Sequence, residues 1–579
     1  MRQLGMWAWR CGAVALCVSG ALAVPAVADA AGEPVMRLDQ VRPGMECSVR
    51  SVLHGTQVSS FNARVIDVVA GSVTGEGPRI LVRVYGPGVD ETGIGPGFSG
   101  SPVSCPGVGG VSRIAGAISE GIGDTTNHLA LATPIEAILS EPVAGAPRAR
   151  SVALRTRPLN APLSVSGVPG WLGRAAQAGA QRAGRRLFVA PAQALAAFAP
   201  VDLQPGSAMA AGLASGDIDV SAIGTVAYRD GARVWAFGHP LDGAGRRALL
   251  LQDAYVYGVV PTPGFVEGSY KLAAAGHVLG TLSNDASQAI VGALGRAPRT
   301  IPVTVVARDG DRGSARKTRV DVADESALDE PAGMSPLRLA GALATAQGAA
   351  EALDGAPARQ TATMCARIEV RRARRPLGFC NRYLIDAGEG GFQLANTVAS
   401  EVDSALAVLD ARAFGRLRVE SVRVRIAARR GLHAAKMTGA SAPRRARAGQ
   451  TLPVRVRLRA FRGPRSTATL HVRLPRSARP GPWLITLRGP RALTDEADGG
   501  IDGLLASIMG GDTGAPAPAW SLAQVARRVA ALHRYDGLWA RVAPTADPRS
   551  GTRARLYRSP AMRITGTSTA ITTVTRPAR

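Results

Sequence analysis

Short apolar runs broken by glycine recur along the chain, and most alternate with polar positions, the period-2 pattern of strands with one wet face. Between Val41 and Pro142 the runs FNARVIDVVA, RILVRVYG, RIAGAISEG and LALATPIEAIL predict a small barrel or sandwich over residues 41–142. Residues 143–204 form a Pro/Ala/Arg-rich connection, with one helix expected around Trp171 to Arg186. A second β-rich block, 205–310, carries SAIGTVAYRDGARVWAFGHPL, YVYGVVPT, HVLGTLSNDASQAIVGALG and TIPVTVVARDG, with RDG positions suited to hairpin turns. Helical runs at 335–355 and Thr397 to Leu409 mark an α+β segment at 311–414. From Arg416 to Leu487, RVRIAA, TLPVRVRLRAF and TATLHVRLP alternate strictly, predicting a β-sandwich of immunoglobulin-like size at 415–490. A tail, 491–579, adds a helix at Leu522 to His533 and the strand-like run MRITGTSTAITTVT. The expected fold class is mainly β.

The N-terminus changes the setting. Arg2 and Arg10 precede an apolar stretch from Cys11 to Val24 and small residues ending at Ala28 or Ala30, so residues 1–30 read as a secretory signal peptide cleaved near Ala30. The stretch is too short to span a bilayer, which points to a secreted, periplasmic or cell-envelope protein. In an oxidising compartment the four remaining cysteines fit two disulfides. Pairing Cys47 with Cys105 and Cys365 with Cys380 keeps each bridge local to one segment; two other connectivities exist. Without C-x-x-C or clustered histidines, no metal is expected.

The formal charge of +26 resembles a nucleic-acid signature, yet the only lysines are Lys271, Lys317 and Lys436, against a total of 69 basic residues. Arginine abundance beside alanine and glycine reflects a GC-rich genome. The arginines are scattered along strands, so no nucleic-acid partner is expected, whereas contact with an acidic cell envelope is consistent with the charge.

The chemistry concentrates in GFSGSP, Gly97 to Pro102, between two strand-like runs. A serine hydroxyl attacks only when a base takes its proton and N–H groups hold the developing oxyanion. A Gly-x-Ser-Gly turn offers both, so Ser99 is the candidate nucleophile and the amides of Gly97 and Ser99 the candidate oxyanion hole. Seven histidines are available as base. In two-barrel serine proteases the base and nucleophile come from different barrels. Too little mature chain precedes Ser99 for His54 to sit on a whole preceding barrel, whereas His239, in the turn AFGHPLDG of the second block, is well placed.

The segment from Gly44 to Leu139 resembles the serine-containing half of the SpoIVB-type peptidase family, the sporulation signalling proteases with a trypsin-like fold. Its TGG-x-x-x-GMSGSP and following G-x-LIGAV strand correspond here to TGIGPGFSGSP and RIAGAIS. The block GTVAYRDGARVWAFGHPL, with GTLSNDASQAIVGALG and TIPVTV, is similar to the family's histidine-containing half. The halves stand in swapped order, and the likeness covers roughly residues 41–310.

The resemblance implies a two-barrel trypsin-like core and a serine endopeptidase, with Ser99 as nucleophile, His239 as general base and no cofactor. The expected partner is a protein or peptide substrate, including the chain's own connection at 143–204; nothing sets an oligomeric state. The family's acid aligns with Tyr85, which leaves Asp90 as the nearest carboxylate and Asp242 and Asp253 as alternatives. That departure supports a second reading, a catalytically degenerate envelope scaffold or binding protein on the same core. A third, binding of carbohydrate or envelope polymer through the sandwich, rests on fold analogy and charge.

Overall fold

The computed structural model describes residues 32–70, 77–122, 128–140, 143, 156–158, 162–191, 198–261, 269–328, 333–353, 357–386, 392–490, 500–510, 516–532, 537–549, 551–558 and 562–575. The signal peptide expected at 1–30 and most of the 143–204 connection's first third lie outside them.

The first alternating block folds into β1 (Glu46–Val52), β2 (Val58–Ala70), β3 (Pro78–Tyr85), β4 (Pro102–Pro106), β5 (Ser112–Ile122) and β6 (Leu129–Pro134). They pair in the order β4-β1-β2-β3-β6-β5, and β4 also pairs with β5, so the sheet closes into a six-stranded barrel. Closure leaves no free edge, and the inward positions Val49, Phe61, Val65, Ile80 and Val82 fill the interior with Phe98. The Cys47–Cys105 disulfide joins β1 to β4 beside that seam, as the local pairing predicted.

The short helix α1 (Ile135–Ile138) follows, then β7 (Thr156–Pro158) on β5, β8 (Leu163–Ser166), α2 (Gly170–Arg182) and β9 (Leu187–Val189). The second block forms β10 (Ala208–Gly216), β11 (Asp219–Asp230), β12 (Arg233–Ala236), β13 (Gly245–Val260), β14 (Tyr270–Ala286) and β15 (Ala289–Leu294). Their pairings run β10-β13-β14-β15-β12-β11 and return from β11 to β10, a second closed circuit of strands. The two circuits share apolar cores: Ile114, Ala117 and Ile135 pack with Tyr228, Trp235 and Val291, while Val52 joins Ala210, Ile223 and Val256.

The second circuit belongs to a larger sheet. β16 (Thr300–Asp309) and β17 (Ala315–Ala323) extend it from β10, and β18 (Arg359–Val370), β19 (Leu377–Asp386) and β20 (Val419–Arg430) follow. Helices α3 (Pro336–Glu351) and α4 (Gln393–Asp410) cover this extension, and Cys365 and Cys380 are bonded across directly opposed positions of β18 and β19. Here the boundary read from alternation shifts: β20, expected in the sandwich, pairs in parallel with β16 and antiparallel with β18. Alternation reports one wet face but not which sheet the strand joins.

Two smaller sheets share one apolar core. They order as β24-β23-β21-β28 and β22-β29-β25-β26-β27, built from β21 (Ala434–Ser441), β22 (Arg445–Arg447), β23 (Thr451–Ala460), β24 (Arg465–Arg473), β25 (Gly481–Arg488), β26 (Gly537–Pro544), β27 (Thr552–Arg558), β28 (Arg563–Thr565) and β29 (Thr567–Thr575). The terminal strands assigned to a tail therefore complete this unit. Between them, α5 (Gly500–Gly510) and α6 (Leu522–Ala531) return to the core of the large sheet.

Candidate functional site

The turn that carries Ser99 is fixed by backbone chemistry from both circuits. Within it, the Phe98 amide donates to Gly95 O and the Ser101 amide to Phe98 O; the Gly100 amide reaches Ile118 O on β5 at 2.7 Å. From the second circuit, the Thr225 amide donates to Ser99 O at 2.9 Å, the Lys271 amide to Pro96 O at 3.0 Å, and Thr225 Oγ1 to Gly97 O at 3.1 Å. Gly97 and Gly100 have φ of 95° and 91°, the left-handed region that favours glycine. At Gly100 a Cβ would lie 1.9 Å from Thr225 O, so no other residue fits that approach.

The result is a serine with unusual surroundings. Ser99 is 0% exposed, and its Oγ has no hydrogen-bond partner among the described residues. Neither its amide nor that of Gly97 donates to any described group. A buried polar atom left unpaired ordinarily costs about 1–3 kcal/mol, so three in one turn call for a reason other than stability.

His239 sits on a turn against the same neighbours. After β12, Phe237 adopts a φ of 72°, its amide donating to Thr225 O, and Gly238 follows with a φ of 69°. A buried aromatic residue held left-handed stores strain that the surrounding packing must maintain. Its ring fills the space over Gly224, where a Cβ would meet Phe237 Cδ1 at 2.3 Å and Ser99 O at 3.3 Å. Thr133 Oγ1 donates to Gly238 O at 2.8 Å, and the Phe237 and His239 ring centroids are 5.8 Å apart. The serine and histidine turns thus share Thr225 and the Ile118 region, but Ser99 Oγ and His239 are not hydrogen-bonded in this conformation.

His239 Nδ1 lies 2.7 Å from Pro240 O. A carbonyl only accepts, so Nδ1 carries the proton, and in the neutral ring the lone pair falls on Nε2. This is the tautomer a general base needs, and the Pro240 carbonyl favours it. The next turn is held by Asp285, buried, whose carboxylate accepts the amides of Leu241 at 2.7 Å, Asp242 at 2.8 Å and Ala244 at 3.2 Å.

The carboxylates named as candidate acids are engaged elsewhere. Asp90 is exposed on the loop before the serine turn, where Oδ1 accepts the Gly86 amide at 2.7 Å. Tyr85, at the aligned acid position, donates to Glu46 on the barrel surface. Asp242 forms ion pairs with Arg185 and Arg247; burial works against its charge, but Arg185, the Met334 amide and Arg247 outweigh it and hold its carboxyl below the ordinary range. Asp253 faces His277, with 3.2 Å between its Oδ2 and the ring Nδ1, and also accepts the Val201 amide.

One residue at the site escaped sequence reasoning. Lys271, near the start of β14, is fully buried; its Nζ donates to Ser51 Oγ at 2.7 Å and Thr225 Oγ1 at 3.2 Å and stands 4.5 Å from the Phe98 ring centroid. Burial lowers its pKa from an ordinary 10.5 to about 7. A trace of this was legible: the chain spends arginine almost everywhere, and here keeps a lysine inside the apolar run YKLAAAG. Compared with protein-family models, curated proteins and solved structures, the chain matches none.

Proposed function

We propose that the chain is an exported serine endopeptidase whose nucleophile is held in a closed, latent form. The observation that carries this reading is the sealed Ser99 hydroxyl without a partner, beside two amides without acceptors, in a turn gripped from both strand circuits. Two closed circuits in contact, each contributing one of these turns, fit a two-barrel trypsin-like core, and the likeness of GFSGSP and AFGHPL to the SpoIVB-type family agrees with it. The sandwich of β21–β29 is read as an immunoglobulin-like accessory unit.

In the open form, His239 Nε2 takes the Ser99 proton as Oγ bonds to the peptide carbonyl carbon. The oxyanion enters the space in front of the Gly97 and Ser99 amides. The C–N bond then breaks, the amine leaving with the proton from His239, and water hydrolyses the acyl-serine by the same steps reversed. The Pro240 carbonyl, 2.7 Å from Nδ1, holds the tautomer and orients the ring.

A second reading is favoured by two observations: Ser99 is closed to solvent, and among the described residues its Oγ has no hydrogen-bond partner, His239 included. On that reading the core is a degenerate scaffold for envelope partners. Labelling of the purified mature chain with a fluorophosphonate, beside Ser99→Ala and His239→Ala, separates them. Labelling that requires both residues supports the peptidase; equal labelling of all three chains, or none of any, leaves the scaffold.

A further inference from the structure

We propose that Lys271 is a positioning residue for the serine turn, its ammonium clamping both flanks of Ser99 through one hydroxyl on each side. The inference rests on the peptidase reading for its consequence, but its geometry stands apart from it.

One arm runs from Nζ to Thr225 Oγ1, which in turn donates to Gly97 O, two residues before the nucleophile. The other runs from Nζ to Ser51 Oγ on β1, which is 2.8 Å from Ser101 Oγ, two residues after it. Because the lysine donates to both hydroxyls, each keeps its own proton to pass on, and the ammonium fixes the direction of both arms. The stem completes the fit: a Cβ at Gly97 would lie 2.9 Å from Lys271 Cβ, so the first glycine of the motif makes room for the lysine. The Lys271 amide also ties β14 to Pro96.

Among the described residues, the groups around the Lys271 side chain are Ser51 from β1, Phe98 and Gly97 from the turn, and Thr225 from β11, none of them charged. Burial alone acts on the amine, and no described carboxylate offsets it. A lysine kept without a counter-charge in the interior is a poor choice for stability. A neutral side chain of similar length, such as methionine, fills the volume without that cost. Retention of a group that the fold would be more stable without is what a functional constraint looks like. Because the amine titrates near 7, the clamp is strongest in mildly acid solution and slackens as the ammonium loses its proton.

The test uses the full mature chain and two readouts. Hydrogen exchange of the Gly100 and Ser101 amides, corrected for intrinsic rates, follows the turn whether or not the protein is an enzyme. Lys271→Met is expected to speed it by about tenfold or more at about pH 6, and the wild type to approach that rate above pH 7. Thr225→Val should speed it by itself but add little to Lys271→Met. The second readout is fluorophosphonate labelling of Ser99, whose change with pH across the Lys271 titration should vanish in Lys271→Met. Exchange in a folded Lys271→Met variant that matches the wild type at about pH 6, with no pH dependence in the wild type, overturns the clamp. Absence of labelling in the wild type, with the exchange effect intact, sinks the peptidase reading and leaves the clamp standing.

Discussion

The amide of Thr225 donates to the carbonyl of Ser99 at 2.9 Å, and the Thr225 carbonyl accepts the amide of Phe237 at 3.2 Å, two residues before His239. One residue of β11 therefore holds the turns of both candidate catalytic side chains. Its backbone does so with two bonds and its hydroxyl, on Gly97 O, with a third.

The close approach at this point makes Gly100 irreplaceable. Gly100→Ala would put a Cβ 1.9 Å from Thr225 O and 2.6 Å from Phe237 N, with φ at +91°. Backbone must shift, and a cost of about 3 kcal/mol or more is expected from overpacking and left-handed strain together. Gly109→Ala has a φ of +76° and nothing within 4 Å, so it isolates the conformational part, about 1 kcal/mol. Denaturant melts of the two variants measure the difference.

Asp285 is the anchor of the loop after His239. Asp285→Ala removes the acceptor of three amides at once, and a loss of about 2–4 kcal/mol is expected. Under conditions where the variant is still folded, fluorophosphonate labelling should fall with the displacement of His239. A variant that melts as the wild type does would show the loop to be held by other contacts.

Lys271 also makes a prediction about stability. Its folded pKa, about 7, lies below the ordinary 10.5, so between these values the unfolded chain binds the proton more readily and stability rises with pH. Below about 7 the folded protein carries the full cost of the buried charge. Lys271→Met should therefore raise the melting temperature most in mildly acid solution, where the gain in unfolding free energy is on the order of a few kcal/mol, with the gain shrinking as the pH approaches the ordinary value. Thermal melts across pH test the sign.

The disulfides close loops of different length. Cys47 and Cys105 are 58 residues apart, and Cys365 and Cys380 are 15 apart. Loop-closure entropy gives about 4 kcal/mol for the first and about 3 kcal/mol for the second. Serine pairs at each bridge, melted with and without reductant, should rank in that order, and only the variant at Cys47 and Cys105 should affect the serine turn, because β4 begins at Pro102.

Much of the fold was legible because its strands are locally encoded. FNARVIDVVA and RILVRVYG became neighbouring barrel strands, and the even number of cysteines led to bridges that the strand register explains. What local pattern does not encode is which sheet a strand joins. The run containing RVRIAA went to the large sheet through a parallel pairing with β16, and β28 and β29 returned from the C-terminus to pair with β21 and β22. At the site, the glycines and the serine were readable from turn chemistry. The orienting group behind His239 was not, since Pro240 acts through its carbonyl, an atom that every residue carries. Lys271 was hidden for the opposite reason: in sequence a lysine reads as surface, and only tertiary packing shows it enclosed.

The central claim is that Ser99 is a nucleophile activated by His239 and closed in the resting fold. Its most direct measurement is the site and rate of fluorophosphonate labelling on the intact protein, mapped by mass spectrometry, for the wild type, Ser99→Ala and His239→Ala. The account predicts modification at Ser99 alone, abolished by the first substitution, slowed by about a hundredfold or more by the second, and limited at high reagent concentration by opening of the turn. Labelling at other serines with Ser99 untouched, or a Ser99 rate indifferent to loss of His239, would contradict it.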